Sequence, residues 1–205
     1  MLAWHWLGRA DYRRVLADQL AARERVWAGG DGVVLLCEHP PTITLGRSAD
    51  PANILASADA LAAAGVRVER IERGGDVTYH GPGQLMIYPI VKLERGVVDF
   101  LARVASAIVD ACAALGAPGT EWRRDPAGVW KGEAKLAACG IHVARGVSVH
   151  GFALDVATPR IAWERIRACG LSAPHASLAT LRGQSISVEE AAIEVGPRVV
   201  ASISK

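Results

Sequence analysis

Residues 67–93 read RVERIERGGDVTYHGPGQLMIYPIVKL, and this stretch decides the class of fold. Arg67–Ile71 alternates apolar and charged residues, which is typical of a half-buried strand. Leu85–Leu93 is also strand-like, and Pro89 within it indicates a position near an edge or a bulge. Between the two lies the glycine-rich stretch Arg73–Gln84 rather than a helix. This order favours an α+β sheet over a doubly wound parallel fold.

The rest of the chain mixes helical and strand patterns without regular alternation. Helical spacing or capping residues predict helices at Ala10–Ala28, Ser57–Ala64, Asp99–Leu115 and Pro159–Arg167, and from the Ser187–Glu190 capping box onward. Apolar runs predict strands at Val33–Cys37, Thr42–Leu45, Lys135–Val143 and Ser148–Val156, the last two joined by a turn at Arg145–Gly146. We expect a single domain over residues 1–205, with a mixed sheet and helices on one side.

The composition excludes several classes of protein. Of the 205 residues 51% are hydrophobic and 21% are charged, which is ordinary for a globular chain and excludes a disordered or fibrous one. No apolar span reaches the roughly 20 residues of a membrane helix, and Arg9 follows Met1–Leu7 too soon for a signal peptide. The net charge of +2 does not by itself indicate nucleic acid. We therefore predict a cytoplasmic protein that binds neither membranes nor nucleic acid.

Four cysteines are widely spaced, at Cys37, Cys112, Cys139 and Cys169, and form no C-x-x-C motif. The first three lie in apolar strand or helix contexts, where cysteine is usually a small buried hydrophobe. Cys169 differs, because it follows a predicted helix that carries Arg165 and Arg167 and it precedes Gly170. A loop thiol next to cations is a place where a thiolate can be stabilised. From the residues alone, a structural cysteine remains the alternative.

The glycine-rich stretch is a second candidate site. Its glycines and hydrogen-bonding side chains are Gly74, Gly75, Gly81, Gly83, Arg73, Thr78, His80 and Gln84. Glycines at this density indicate positive φ or close approach of a ligand to the backbone. No Gly-Lys-Ser/Thr sequence follows and no third glycine completes a dinucleotide fingerprint, so phosphate binding is not favoured. A pair of tight turns with surface polar residues remains the alternative.

Lys135 is the third candidate, because lysine is scarce in this chain and Lys135 begins an apolar strand. If its ammonium is partly buried, it can act as a base or stabilise a nearby anion. A solvated strand end is the alternative. The histidines, including His39, His80 and His150, form no close ligand pair, so we expect no metal.

Several segments together resemble the lipoyl(octanoyl) transferases, the lipoate-biosynthesis protein B family. RGGDVTYHGPGQ at 73–84 is similar to that family's signature, and EHPPTITLGR at 38–47 resembles its upstream segment. KLAACG at 135–140, HGFAL at 150–154 and Cys169-Gly170 follow in the family's order and at about its spacing. The resemblance runs from near Leu35 to about Leu178.

The resemblance implies an α+β fold like the catalytic domain of biotin and lipoate protein ligases. It implies transfer of octanoyl from octanoyl-acyl carrier protein to a specific lysine of lipoyl domains, in 2-oxoacid dehydrogenase E2 subunits and glycine cleavage H protein. Cys169 would be the nucleophile and Lys135 the residue that activates it. The implied substrate-binding residues are Arg73, Gly74, Gly75, Asp76, Val77, Thr78, Tyr79, His80, Ala138, Cys139, Gly140, Gly151, Phe152 and Ala153, with His150, Gln84 and His39 as further pocket candidates.

This chemistry needs no cofactor. A thiolate exchanges with a thioester donor at little free-energy cost, and the lysine acceptor then leaves a more stable amide, so ATP is not required. Three features depart from the family's pattern: Asp155 stands where asparagine is more frequent, Cys139 where a larger apolar residue is usual, and Ser172–Ser177 follows the pattern only loosely.

Three other functions remain open at this point. An ATP-dependent lipoate or biotin ligase on the same fold would not need Cys169. An amidotransferase would move octanoyl between two lipoyl domains. A non-catalytic module would bind acyl groups or carrier protein without forming a covalent adduct.

Overall fold

The computed structural model describes residues 1–168 and 173–204. Within these ranges the strands are β1 (Ala3–Arg9), β2 (Val33–Glu38), β3 (Thr42–Leu45), β4 (Arg67–Arg70), β5 (Val77–His80), β6 (Gln84–Ile90), β7 (Glu121–Arg124), β8 (Ala127–Lys131), β9 (Ala134–Ala144) and β10 (Val147–Asp155). The α-helices are α1 (Tyr12–Trp27), α2 (Ala58–Ala63), α3 (Val97–Ala114), α4 (Leu178–Arg182) and α5 (Val188–Ile203). The helix predicted at Pro159–Arg167 is a 3₁₀ helix over Arg160–Arg165.

Seven strands form the larger sheet, in the order β1-β2-β6-β10-β9-β8-β7. β1 pairs with β2 in parallel, and the other neighbours are antiparallel, so the sheet is mixed as predicted. The edge strands β1 and β7 were not predicted. In β1 exposed and half-buried residues alternate, with Trp4 and Trp6 turned inward, and this period of two is the signal that could have identified it.

Helices cover both faces of this sheet, so the expectation of helices on one side is wrong. Val34 and Leu36 of β2 belong to the same core cluster as α3 and α5. Val33, Leu35 and Cys37 of the same strand belong to the cluster that contains α1. A strand that is apolar at every position must be covered on both sides, because either face left in water would expose hydrocarbon.

The smaller sheet has the order β4-β3-β5 and incorporates half of the glycine-rich stretch. All four residues of β5 are buried. Arg73, His80 and Gln84 are also buried. The alternative of two turns with surface polar residues is therefore wrong. The strand escaped prediction because it is only four residues long and is flanked by glycines on both sides.

β6 and β10 lie at the centre of the larger sheet, where an irregularity interrupts their pairing. The register runs from Gln84–Ile87 against Phe152–Asp155 and resumes as a single bridge between Lys92 and Val147. Pro89 lies in this interval on a central strand, so of its two predicted settings the edge is wrong, whereas the break in pairing agrees with the alternative of a bulge. Pro89 has no N–H to contribute to a ladder.

Gly151 on β10 permits the close approach of β6 at this point. A Cβ at Gly151 would lie 2.0 Å from the Ile87 carbonyl oxygen, which belongs to the backbone and cannot turn aside. Gly151→Ala should therefore lower the free energy of unfolding by about 3 kcal/mol, the upper end of the usual overpacking range. Gly74→Ala is the matched control, since the nearest atom to its Cβ is 3.4 Å away. Urea denaturation of both variants tests this, and a Gly151→Ala stability equal to the control's would contradict it.

The predicted caps are confirmed at two helices. The Ser57 side chain accepts from the Ala60 N–H at the start of α2. Ser187 and Glu190 form a reciprocal capping box at the start of α5. Over the described residues, the helices are all too short or too polar to cross a bilayer.

Candidate active site

Arg73 organises the glycine-rich stretch from within. Its guanidinium donates to the Thr44 carbonyl oxygen at 2.8 Å, to the Asp76 carbonyl oxygen at 2.7 Å and to the Gly74 carbonyl oxygen at 3.0 Å. It also donates to the Thr44 hydroxyl. Arginine suits this position because its planar fork of donors satisfies several carbonyl groups at once. The buried cation thus fixes the loop between β4 and β5 against β3.

The glycine-rich stretch and the centre of the larger sheet enclose a small cavity of about 30 Å³. Its lining comprises Tyr12, Arg73, Thr78, His80, Met86, Tyr88, Ala138, Cys139, Gly140, His150, Gly151, Phe152 and Ala153. Ten of these were singled out in the sequence, and they come from β5, β9, β10 and the loop before β5. Gly140 and Gly151 face each other in the ladder between β9 and β10. The structure therefore brings segments far apart in the sequence to one place.

Other residues singled out in the sequence lie outside this lining. Gly74 and Gly75 follow Arg73 in the loop, and Val77 lies in the core cluster beneath the smaller sheet. Tyr79 packs edge-on against Trp163, with ring centroids 6.0 Å apart. Asp76 accepts hydrogen bonds from the Asp50 N–H and the Asn53 side chain. These residues hold the loop and the smaller sheet in place.

Sequence reasoning missed three aromatic or flexible residues of the lining: Tyr12, Met86 and Tyr88. Tyr12 comes from α1 and stacks on His80, with ring centroids 5.9 Å apart. His39 supports Tyr88 from behind, because its Nε2 lies 3.0 Å from the Tyr88 hydroxyl. No local pattern marks these contacts, since they depend on where α1 and β6 meet β5.

Lys135 is buried, with 5% of its surface exposed, so the alternative of a solvated strand end is wrong. Its Nζ lies 5.1 Å from the centroid of the Trp130 ring, within the range of a cation–π interaction. A Cβ at Gly128 would lie 2.6 Å from the Lys135 Cε. The glycine on β8 therefore leaves room for the lysine stem.

The segment after the undescribed residues is paired with Lys135 through the backbone. The Lys135 N–H donates to the Pro174 carbonyl oxygen at 2.8 Å, and the Ala176 N–H donates to the Lys135 carbonyl oxygen at 2.9 Å. Ala168 and Ala173, on either side of the gap, line one cavity of about 510 Å³ together with His175. Cys169, the predicted nucleophile, lies outside the described residues.

A chain of polar side chains connects the two cavities; His80, Gln84 and Asp155 are buried and His175 is half-buried. His80 Nδ1 lies 3.0 Å from Gln84 Oε1, and Gln84 Nε2 donates to Asp155 Oδ1 at 3.0 Å. Because the Asp155 carboxylate accepts, the Gln84 oxygen is turned toward His80, and His80 carries its proton on Nδ1. His175 Nδ1 lies 3.4 Å from Asp155 Oδ2. Gln84 thus belongs to this chain rather than to a cavity wall.

His175 escaped the sequence analysis. Its ring stacks on Trp163 with centroids 3.6 Å apart, and its backbone forms a parallel bridge with Lys135. The partner, Asp155, is one of the positions where the sequence departs from the family's pattern. That departure was the available signal, since an added carboxylate in a strand requires a buried hydrogen-bonding partner.

Three histidines are held neutral by burial. Desolvation lowers the pKa of His39 and that of His150 to about 4. Burial, reinforced by the Arg73 cation, lowers the pKa of His80 well below its ordinary value. The Arg73 charge therefore coexists with neutral imidazoles at neutral pH.

These shifts predict a loss of stability in mild acid. Unfolded histidine has a pKa near 6.5, so between about pH 6.5 and pH 4 the unfolded chain binds protons that the folded chain does not. The folded state should therefore lose several kcal/mol of its free energy of unfolding between pH 7 and pH 5, and gain nothing further above pH 7.5. Urea denaturation at several pH values measures this. His39→Gln should reduce the slope, whereas His5→Gln, at an exposed position, should not; equal stability at pH 7 and pH 5 would contradict the prediction.

The two buried thiols among the described residues, Cys37 and Cys112, are poor nucleophiles. Burial raises the pKa of Cys112 to about 12 and raises that of Cys37 further. Among the described residues, His, Cys, Asp and Glu side chains form no group of three that could hold a metal ion.

The fold is similar to two ligases of known structure. Lipoate-protein ligase A bound with ATP superposes with a TM-score of 0.82 at 15% identity, over 99% of this chain and 85% of that one. Biotin protein ligase from Aquifex aeolicus, in complex with biotin and ATP, superposes with a TM-score of 0.61 at 13% identity, over 99% of this chain and 71% of that one. The predicted α+β class is confirmed, and the fold is that of the lipoate and biotin ligase catalytic domains.

Sequence similarity narrows this class. Residues 11–196 match the lipoyl protein ligase A/B catalytic domain family. An octanoyltransferase from Solibacter usitatus is 45% identical over 191 residues, which cover 90% of this chain and 84% of that protein. The chain therefore belongs to the lipoyl protein ligase A/B catalytic domain family, among its octanoyltransferases, and is an acyltransferase.

Proposed function

We propose that this enzyme, acting as one unit over residues 1–205, transfers octanoyl from octanoyl-acyl carrier protein to a lysine of lipoyl domains. The acceptors are the lipoyl domains of 2-oxoacid dehydrogenase E2 subunits and glycine cleavage H protein. The observation that carries the proposal is the buried Lys135, paired through its backbone with the segment that follows Cys169. A buried amine whose strand pairs with the residues that soon follow a cysteine in the chain fits what acyl transfer through a thioester needs.

The reaction proceeds in two steps. In the first, the Cys169 thiolate attacks the thioester carbonyl, the bond to the carrier thiol breaks, and that thiol leaves. In the second, the acceptor lysine amine attacks the acyl-enzyme, gives up a proton, and expels Cys169. The Lys135 ammonium stabilises the Cys169 thiolate and, in the first step, gives its proton to the departing carrier thiolate. The neutral Lys135 amine then takes the proton that the acceptor amine loses in the second step. No bond to phosphorus forms or breaks in either step, so the reaction does not use ATP.

The cavity lined by Arg73, Gly140 and Gly151 is the proposed site of the acyl chain. Its volume of about 30 Å³ holds one or two water molecules, so an eight-carbon chain requires side chains to move. Met86 is the most adaptable member of the lining, since methionine is unbranched and has three rotatable bonds. The walls contributed by Phe152 and Ala153 are apolar, as a hydrocarbon chain requires.

Arginines mark the proposed docking face for the partner proteins. Arg160 and Arg167 line the larger cavity and are exposed. Acyl carrier proteins and lipoyl domains are typically acidic, so these charges would speed association and orient both partners.

The function is tested by incubating the purified enzyme with octanoyl-acyl carrier protein and a lipoyl domain, without ATP, and measuring intact masses. We expect the lipoyl domain to gain one octanoyl group, and the enzyme to carry a hydroxylamine-sensitive octanoyl adduct when the acceptor is omitted. Modification that requires free octanoate and ATP would show a ligase instead. Modification only from an octanoylated lipoyl domain would show an amidotransferase. If no donor gave an adduct or transfer, the protein would be a non-catalytic binding module.

A further inference from the structure

A second cavity adjoins the acyl site through His150; it is distinct from the larger cavity near His175, and the proposed reaction does not use it. It has a volume of about 170 Å³ and is lined by Leu16, Leu20, Arg23, Arg70, Ile71, Glu72, His142, Val149 and His150. Arg70 and Glu72 are exposed, so the charged part of this lining is on the solvent side. The inner part, formed by Leu16, Ile71 and Val149, is apolar. His150 lines this cavity and the acyl site alike, and it therefore stands between them.

His150 has an unusual backbone conformation. Its φ is 62°, in the left-handed region that non-glycine residues rarely adopt. The fold holds it there: the His150 N–H donates to the Gln19 side chain of α1 at 2.8 Å, and the side chain is buried. Strain of this kind persists only where the surroundings enforce it, and it concentrates at ligand sites. Its location opposite Pro89 interrupts the ladder of two central strands.

The length of β9 gives the distance from the reacting end to His150. Lys135 and Gly140 are five residues apart on one strand, which is about 16 Å at the usual rise. An extended eight-carbon chain, with bonds of about 1.5 Å, spans roughly 9 Å. An octanoyl chain whose carbonyl carbon lies roughly 7 Å along β9 from the Lys135 Cα would therefore end beside Gly140 and Gly151, next to His150.

We propose that His150 closes the inner end of the acyl site and limits the length of the chain that the enzyme transfers. The inference rests on the proposed octanoyl transfer and deepens it by assigning chain-length selection to one residue. Without the imidazole, the acyl site and the second cavity become continuous. Longer chains then contact the apolar walls formed by Leu16, Ile71 and Val149. Each additional buried methylene raises the binding affinity roughly fourfold.

The test compares dodecanoyl and octanoyl carrier-protein donors in competition. Because glycine adopts positive φ without strain, His150→Gly opens the boundary and keeps the backbone; it should raise the ratio of dodecanoyl to octanoyl transfer by about tenfold or more. His150→Asn, which retains a side chain that tolerates positive φ, should give an intermediate ratio. Arg145→Gly is the matched control, since Arg145 has a φ of 48° but lines neither cavity; its ratio should equal that of the unaltered enzyme.

A second-site variant identifies where the longer chain goes. Leu16→Trp fills the second cavity from α1. When it is combined with His150→Gly, the ratio of dodecanoyl to octanoyl transfer should return to that of the unaltered enzyme. An unchanged ratio in folded His150→Gly or His150→Asn would overturn the inference while leaving octanoyl transfer intact. Folded variants inactive with both donors would also overturn it, since His150 would then serve transfer rather than length. Failure of the unaltered enzyme to transfer octanoyl would instead reject the proposed function.

Discussion

Cys169→Ala should abolish octanoyl transfer and remove the hydroxylamine-sensitive adduct from the enzyme. The expected loss is at the detection limit, because Cys169 is the proposed nucleophile and two of the three described thiols, Cys37 and Cys112, are buried. Burial raises the pKa of Cys112 to about 12, so it carries almost no thiolate at neutral pH. Cys37 is fully buried as well. Intact-mass analysis after mixing with octanoyl-acyl carrier protein measures the adduct directly.

Cys112→Ser is the matched control for this experiment and should transfer octanoyl at close to the unaltered rate. Iodoacetamide at neutral pH gives an independent reading, since it alkylates the thiolate. Cys169 should be labelled first. Preferential labelling of Cys37 or Cys112, or an adduct that survives in Cys169→Ala, would show that the nucleophile has been misassigned.

Lys135→Met should lower the rate of transfer by about 10²–10⁴-fold, the usual contribution of a positioned general base. Methionine fills the lysine's volume, and replacing a buried charge by an apolar side chain of similar size is often neutral for folding. Lys135→Arg should not restore the rate, because arginine keeps its proton at any pH the protein survives. Single-turnover assays separate acyl-enzyme formation from transfer to the acceptor.

Lys131→Met, at an exposed position on the neighbouring strand β8, is the control and should leave the rate within about twofold, the range expected when a surface charge away from the site is removed. Equal rates for Lys135→Met and the control would remove Lys135 from the mechanism. A variant that forms the acyl-enzyme normally but fails to pass it on would assign Lys135 to the second step alone.

Local patterns predicted the elements whose signals are local. The caps at Ser57 and Ser187, the turn at Arg145–Gly146 and the bounds of β3 follow from a few neighbouring residues, and the structure has them. The resemblance to the octanoyltransferase family identified the segments that meet around the small cavity. Whether these residues bind the acyl chain stays a prediction.

What the sequence did not reveal depends on contacts between distant segments. Tyr12 reaches the cavity because α1 crosses the larger sheet on the face opposite α3, and the burial of both faces of β2 was the overlooked clue. Pro89 suggested an edge or a bulge, because proline has no N–H for the ladder of hydrogen bonds between strands. Here His150 opposite it interrupts the same ladder, so a central strand tolerates the proline. His175 has no motif, and only its pairing with Asp155 reveals it.

The alternation of residues along β10 restricts the route by which hydrocarbon travels. Phe152 belongs to the interior beneath α3 and α5, whereas its neighbour Ala153 belongs to the interior beneath α1. Separating β10 from its neighbouring strands would expose both interiors to water at once, at a free-energy cost comparable to that of unfolding the whole molecule. For the proposed acyl site, this means that the fatty tail would enter lengthwise from the Lys135 end and leave by the same path, so the outgoing product would have to clear the channel before the next donor loads.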